Sequence, residues 1–150
     1  MGILFQTDSQ EILRNRGVAA AESVSPSLAI PLLRAAADES REQIQEIWAR
    51  IIAAAMDPKR SDRVRQSFIA TVSRLDPLDA LVLKNLYEVT GNLSPNPRDF
   101  LASRLQVSSR EIDVSVINLE ELKCVRMPHQ DTAFFSLTSY GFELVRLLSD

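Results

Sequence analysis

Residues 40–83 read SREQIQEIWARIIAAAMDPKRSDRVRQSFIATVSRLDPLDALVL, and this stretch decides the architecture of the chain. Its first part carries apolar side chains at the spacing of a helix with one buried face, namely Ile44, Ile47, Trp48, Ile51, Ile52, Ala55 and Met56. Asp57-Pro58 ends that helix, because the residue before a proline is pushed out of the α region. Asp76-Pro77 begins another with a capping acid and a first-turn proline. The stretch therefore predicts three consecutive helices.

The boundaries and the outer side of these helices follow from the same residues. Ser40 and Gln43 form a capping box that would begin the first helix. Ser61 is placed to cap the second helix. Ala49 and Ala53 fall opposite the apolar stripe of the first helix, and we expect that side to face solvent.

Two further helices are predicted upstream. Asp8–Ser23 reads as a short helix, and Ser25-Pro26 is a typical helix start. Pro31 follows about one turn later, and a proline there removes a backbone donor and clashes with the preceding turn. We therefore expect a single turn before Pro31 and a longer helix from Pro31 onward.

Local capping signals also predict where the helices downstream of this stretch begin and end. Gly91 is expected to stop the third helix of the central stretch. Asn96-Pro97 would begin the next one, and a capping box of Ser108 and Glu111 would begin the one after that.

The last third of the chain changes pattern. Cys124–Met127 and Ala133–Leu137 are short β-prone runs on either side of a turn at Pro128–Thr132, so they predict a hairpin. Thr138 can cap a final helix. Helix, helix, helix, two strands, helix is the layout of a winged helix-turn-helix, and the spacing of Thr138 and Gly141 resembles the strand-to-helix ending of winged-helix regulators.

The predicted fold class is mainly α, a helical core followed by a winged helix-turn-helix with a small two-stranded wing. We expect an N-terminal helical core over residues 1–75 and a winged-helix-like domain over residues 76–150 packed on it. The chain is 45% apolar and 25% charged, which is typical of a globular protein.

Composition also narrows the classes of partner and cofactor. A formal net charge of -3 argues against bulk attraction to nucleic acid or to anionic lipid. The lone Cys124 and the lone His129 are too few for a structural zinc site, so we expect a buried thiol, a loop imidazole and no metal. No apolar run is long enough to span a membrane, and a reducing cytoplasm fits the cysteine usage.

The most concentrated charge lies after Asp57, where four basic side chains stand close together in sequence: Lys59, Arg60, Arg63 and Arg65. They form either an anion- or partner-binding patch at a helix N-terminus or a solvated loop whose charges pair among themselves. Trp48 could stack on a base or ligand, although its place on the apolar stripe favours a core residue.

In a winged helix the second helix of the turn reads DNA through cationic or amide side chains. Here that helix offers Arg110 and Lys123, and the wing offers Arg126, but the helix also carries four acids. From residue 96 onward there are six basic and eight acidic side chains. This balance disfavours DNA and favours contact with a protein. We find no nucleophile elbow, P-loop or paired Cys/His set, so neither an enzyme nor a cofactor is predicted.

Three segments, IPLLRAAADES, IWARIIAAAMDP and VRQSFIATVSRLDPLDALVL, resemble the core of the Abi-alpha (abortive infection alpha) family. The matching positions are Pro31, Leu32, Leu33, Trp48, Ala49, Ala55, Asp57, Ser67, Phe68, Leu75, Pro77, Leu78 and Asp79. The resemblance implies a helical core with a winged-helix-like region and a setting in bacterial anti-phage defence.

The first hypothesis is a non-enzymatic adaptor, sensor or regulator that acts through protein contacts, with a homodimer as one arrangement. The alternatives are a winged-helix DNA-binding regulator and a nucleotide- or phosphate-responsive protein that uses the basic loop at residues 59–65.

Overall fold

A computed structural model describes residues 2–17, 24–89 and 96–149 of the 150-residue chain. The described residues form α1 (Gly2–Asn15), α2 (Pro26–Ala37), α3 (Glu42–Met56), α4 (Gln66–Val72), α5 (Pro77–Glu88), α6 (Pro97–Leu105), α7 (Ser109–Glu121), β1 (Val125–Arg126), β2 (Ser136–Leu137) and α8 (Ser139–Leu148). The two strands pair in an antiparallel hairpin, with Val125 opposite Leu137. The predicted class, mainly α with a small two-stranded wing, is confirmed.

The chain divides into two compact units. The first contains Met1–Leu75 together with Arg146–Asp150, and the second contains Asp76–Val145. Helix α8 therefore contributes its first residues to the second unit and its last residues to the first. Across the described part of the chain, none of the helices has the length and apolar composition required to cross a membrane.

Helix α3 is the core of the first unit. Its predicted stripe is buried at Ile44, Trp48 and Ile51. The expectation that the alanine side faces solvent is wrong, because Ala49 is 1% exposed and Ala53 is fully buried. Helix α1 packs against α3, and the Ser9 hydroxyl donates to the Ala49 carbonyl at 3.0 Å. Alanines whose position opposite the apolar stripe predicts a solvent-facing side are here the small side chains that let a second helix approach closely.

The start of α3 also differs from the prediction. The helix begins at Glu42 with Arg41 as its cap residue, so Ser40 and Gln43 do not form the predicted box. The Glu39 carboxylate accepts from the backbone N–H of Arg41 and from its guanidinium, both at 2.9 Å. The guanidinium hydrogen bond lowers the pKa of Glu39 from its ordinary value.

Helix α2 runs through a proline. It begins at Pro26, as the Ser25-Pro26 signal predicts, but it continues past Pro31 rather than beginning there. Pro31 has no N–H to donate to the Ser27 carbonyl four residues earlier. That carbonyl instead accepts from the Gln66 side-chain amide at 3.3 Å. A neighbour outside the helix supplies the donor that the proline removes.

The helix predicted after α3 is shorter in the structure than in the prediction. Ser61 begins only a three-residue 3-10 turn, Ser61–Arg63, and α4 begins at Gln66. Its expected apolar side chains, Phe68 and Val72 among them, are buried. At the other end of this unit, α1 occupies Gly2–Asn15 instead of beginning at Asp8, and the end of the predicted helix at residues 18–23 lies outside the described residues.

The caps of the second unit follow the sequence closely. The Asn96 side chain accepts from the N–H of Asp99 at 3.1 Å. The Ser108 hydroxyl and the Glu111 carboxylate form the predicted capping box, with bonds of 3.2 and 2.8 Å. The Thr138 hydroxyl accepts from the N–H of Gly141 at 3.0 Å and begins α8. The predicted stop at residue 91 lies outside the described ranges.

Gly141 has a packing reason as well as a place in the cap. A Cβ at this position would meet the Cys124 carbonyl oxygen at 2.1 Å. Because the obstacle is backbone, it cannot turn aside as a flexible side chain would. The start of α8 therefore lies against the chain just before β1 only because residue 141 has no side chain.

Candidate functional site

Asp57 organises the basic loop that the sequence singles out. It ends α3, as predicted, and it is buried. Its carboxylate accepts from the backbone N–H of Lys59 at 2.9 Å and lies 3.6 Å from Nε of Arg60. The first turn of the loop is thus fixed by a local acid.

The Arg60 guanidinium is directed at protein oxygens. It donates to the carbonyls of Leu147 (at 3.4 Å) and Ser149, at the end of α8. Arg16 and Arg50 donate to the neighbouring Leu148 carbonyl at 3.2 and 3.0 Å. The last carbonyls of a helix lack intrahelical donors and carry the negative end of its dipole, so three cations there satisfy both needs.

The other basic residues of the loop have different surroundings. Lys59 and Arg65 are exposed, whereas Arg63 is half-buried and donates to the Lys59 carbonyl at 3.4 Å. Arg65 precedes α4, which is only seven residues long. Arg60 therefore differs from the other basic residues of the loop, because its guanidinium donates to carbonyls at the end of α8. No sequence signal links it to those carbonyls.

Trp48 is a core residue. Its side chain is 1% exposed in the middle of α3, so its ring has no face available for stacking on a base or ligand. The reading of Trp48 as a core residue is confirmed.

The three candidate contacts of the second unit are all exposed but dispersed. Arg110 lies in the first turn of α7, and Arg126 lies on β1. Lys123 follows the end of α7 in the left-handed region, at a φ of 65°. Lys123 is thirteen positions after Arg110, which corresponds to roughly 20 Å along a helix. The fold does not gather them into one cationic cluster.

A different surface of α7 was missed by the sequence reading. Val114 is 69% exposed and Ile117 is 49% exposed, and the exposed side chains of Arg110 and Glu121 lie on the same side of the helix. We call these four residues the α7 outer face. Its signal in the sequence is an excess of apolar residues, because Val114 and Ile117 fall outside the buried stripe that contains Ile112, Val116 and Leu119.

The inner side of α7 carries a polar network that the sequence reading also missed. Asp79 is buried and accepts from the Ser115 hydroxyl and from the Asn118 amide, the latter at 2.7 Å. It also accepts from the N–H of Asp76 at 3.0 Å, as expected of an acid in the first turn of α5. The Asp79 carboxylate thus caps the start of α5 and links α5 to α7 by hydrogen bonds.

The second unit has a pocket of about 340 Å³ at the start of α8. Leu86, Leu137 and Phe142 provide its apolar lining, with Thr138 and Glu143 among the polar residues. Glu143 is the acidic residue of that lining, and the residues that line the pocket include no base, which does not suit a phosphate group.

Cys124 and His129 are placed as the sequence predicts, in the core and in an exposed turn. Burial, with a smaller contribution from the charge of Asp79, raises the pKa of the Cys124 thiol to about 12. Among the residues that the structure describes, no group of three or more His, Cys, Asp or Glu side chains could hold a metal ion.

Comparison with known protein families gives a match over nearly the whole chain. The family model described as abortive infection alpha matches residues 6–147, nearly the whole chain. No curated protein and no solved structure matches.

Proposed function

Because the chain belongs to the abortive infection alpha family, we propose that it acts in anti-phage defence as a non-enzymatic adaptor, sensor or regulator. Its family membership supports involvement in abortive infection. The finer proposal is that it works in the cytoplasm through contacts with proteins, and that the second unit is a winged helix adapted to such contacts. The order of its helices and its hairpin supports that interpretation.

The α7 outer face is the observation that carries the proposal. In a DNA-reading winged helix the corresponding helix presents cationic or amide groups to the major groove. Here Val114 and Ile117 occupy the centre of the exposed face, and each loses unfavourable contact with water only when another apolar surface covers it. Exposed apolar residues flanked by charged ones are typical of a protein-binding surface.

The distribution of charge supports the same reading. Beyond residue 95 the chain has six basic and eight acidic side chains, and its overall formal charge is -3. Phosphate-driven binding needs several cations on one surface. The dispersed positions of Arg110, Lys123 and Arg126 do not provide them.

A phage challenge tests the defence role. The protein is expressed in a bacterial host, and plaque number and cell survival are measured over a phage panel. We expect protection by the natural chain and its loss in the Val114→Asp, Ile117→Asp double variant. Leu33→Asp is the matched control, since Leu33 is 50% exposed on a different helix. A natural chain that changes neither readout would overturn the defence role, and full protection by the double variant would overturn the role of α7.

A DNA-binding regulator is the second candidate, favoured by the exposure of Arg110, Lys123 and Arg126 on and after α7. Electrophoretic shifts on duplex DNA at low and moderate salt distinguish it, because phosphate contacts weaken steeply as salt rises. We expect no shift at either salt concentration. A shift that Arg110→Glu abolishes would favour this candidate over the first.

The phosphate-responsive alternative has less support, because the Arg60 guanidinium holds the end of α8. It predicts that a nucleotide or cyclic dinucleotide raises the thermal stability of the protein. We expect a flat thermal-shift screen. A ligand whose stabilisation disappears in a Lys59→Ala, Arg65→Ala variant would revive this alternative.

A further inference from the structure

The four residues of the α7 outer face have the same spacing whether they are counted from the N-terminus or from the C-terminus of the helix. From Arg110 the next members follow after steps of four, three and four positions, at Val114, Ile117 and Glu121. On a helix with 3.6 residues per turn, these positions form one narrow stripe. The two inner positions are apolar and exposed, and the two outer positions have opposite charges.

The two charges are placed against the dipole of their own helix. Arg110 lies in the first turn of α7, where a helix favours acids, and Glu121 is its last residue, where a helix favours bases. This arrangement therefore gives α7 no stabilisation from its own dipole. Next to an antiparallel helix both charges would be favourably placed. Arg110 would lie beside the negative C-terminal end of the neighbouring helix, and Glu121 would lie beside its positive N-terminal end.

We propose that the α7 outer face binds a second copy of this chain, with the two α7 helices antiparallel across a two-fold axis. The register follows from the spacing. Val114 of one copy lies against Ile117 of the other, and Arg110 of one copy lies against Glu121 of the other. Each contact occurs twice, as the self-complementary surface of a two-fold dimer requires. The inference depends on the proposed function only in treating α7 as a protein-binding helix.

Charge complementarity selects this orientation. In a parallel pair Arg110 would face Arg110 and Glu121 would face Glu121, so both ends would repel. In the antiparallel pair both ends attract. Two neighbouring acids of α7 also have partners on their own chain: Asp113 lies 3.5 Å from Arg98, and Glu120 accepts from the N–H of Met127 at 3.3 Å.

The size of the contact sets its strength. One helix stripe buries less than the roughly 1,600 Å² of a standard stable interface. The dimer should therefore be weak and should dissociate on dilution. Because its charged pairs lie at the rim, where salt screens them, its affinity should fall as ionic strength rises.

Sedimentation equilibrium of the full chain, from about 1 µM to about 1 mM, tests the proposal. We expect a monomer–dimer equilibrium. Arg110→Glu alone and Glu121→Arg alone each place like charges together and should weaken it about tenfold or more. The double reversal Arg110→Glu, Glu121→Arg restores opposite charges and should return the dissociation constant to within about threefold of the natural value. Arg104→Glu, an exposed charge on α6, is the control.

A cross-linking experiment tests the register independently of charge. Cys124 is buried, so the natural chain contributes little reactive thiol. A short bis-maleimide should join Val114→Cys to Ile117→Cys when the two variants are mixed, and should not join chains that carry Ser139→Cys. Thermal melting of every variant checks that the fold is retained, as expected for exposed positions.

Four results would overturn the proposal. They are a natural chain that remains monomeric throughout the concentration range, a dimer that the single reversals leave unchanged, a double reversal that fails to restore it, and a duplex-DNA shift that depends on Arg110. The phage challenge remains a separate readout. A monomeric chain that protects cells would end the dimer proposal and leave the defence role intact. A chain that forms the dimer but gives no protection would end the defence role and leave the dimer proposal intact.

Discussion

The carboxylate of Asp79 both caps α5 and accepts hydrogen bonds from α7 in the second unit. It accepts from the backbone at the start of α5, and it holds Ser115 and Asn118 on the inner side of α7. Buried acceptors that lose their donors, and buried donors that lose their acceptor, cost more than exposed ones. Asp79 therefore contributes, together with the buried stripe of α7, to the orientation in which α7 presents its outer face.

Replacing Asp79 should show that dependence. Asp79→Ala leaves the Ser115 hydroxyl and the Asn118 amide without their acceptor, so we expect the free energy of unfolding to fall by about 3 kcal/mol. Asp99→Ala is the matched control, because Asp99 occupies the same position in the first turn of α6 but is exposed. It should cost about 1 kcal/mol or less. Equal losses in urea unfolding would contradict a special role for Asp79.

Cys124 should make stability depend on alkaline pH. The pKa of its thiol is about 12 in the folded chain, against an ordinary value of 9.0. The folded state therefore holds this proton more tightly, and the resulting stability is complete below pH 9 and is lost as the pH rises toward 12. The loss should approach about 1.4 kcal/mol per pH unit in that window.

Comparing the natural chain with Cys124→Ala isolates this effect, because the two chains differ only at residue 124. Urea unfolding measured at several pH values from 8 to about 11 should show a steeper decline for the natural chain. Parallel declines in the two chains would contradict the assignment to Cys124.

At the level of the elements, prediction succeeded where the determining contacts are local. Asn96, Ser108 and Thr138 each bond a backbone N–H three residues later, so both partners are visible in one short stretch of sequence. The same is true of the hairpin and of the end of α3. These signals gave the second unit its helices and strands in the correct order.

Prediction failed where the determining partner is distant. Pro31 stays inside α2 with help from Gln66, and Ala49 is buried because α1 covers it. Hydropathy cannot distinguish an alanine that faces water from one that admits a neighbouring helix. The α7 outer face was missed for a related reason, since Val114 and Ile117 look like core residues until the buried stripe has been placed.

Pro31 offers a test of how well Gln66 compensates. Pro31→Ala restores an N–H to the Ser27 carbonyl and removes the clash within α2, although it also makes the unfolded chain more flexible. We expect a net gain of about 1–2 kcal/mol in the free energy of unfolding. Pro26→Ala is the control, because a proline in the first turn leaves no helical bond unmade. A loss of stability in Pro31→Ala would show that the proline is better accommodated than this argument holds.

At the level of the whole molecule, the first unit is completed by residues far along the chain. Arg60 donates to a carbonyl 87 residues later, and Arg50 to one 98 residues later. Leu147, in the same segment, is 1% exposed. No local pattern connects these residues, which is why Arg60 could be assigned only to a loop from sequence.

Removing that segment should weaken the first unit. A chain that ends at Val145 loses the buried Leu147 side chain and the carbonyls of residues 147–149 that accept from Arg16, Arg50 and Arg60. We expect the stability of the first unit to fall by about 3 kcal/mol or more. Trp48 is the single tryptophan and lies in α3, so its fluorescence during urea unfolding reports this unit. A chain that ends at Ser149 is the control and should unfold like the natural one. An unchanged Trp48 transition in the shorter chain would contradict the role of the α8 end.

The α8 end also governs when the protein can acquire its structure during synthesis. Domains usually fold as they leave the ribosome, beginning with the N-terminal one. Here the segment up to Leu75 emerges first, whereas the carbonyls of residues 147–149, which accept from Arg16, Arg50 and Arg60, leave the exit tunnel much later. The second unit, which is continuous from Asp76 to Val145, is therefore able to fold before the first. We therefore expect the second unit to fold before the first, although it is translated later.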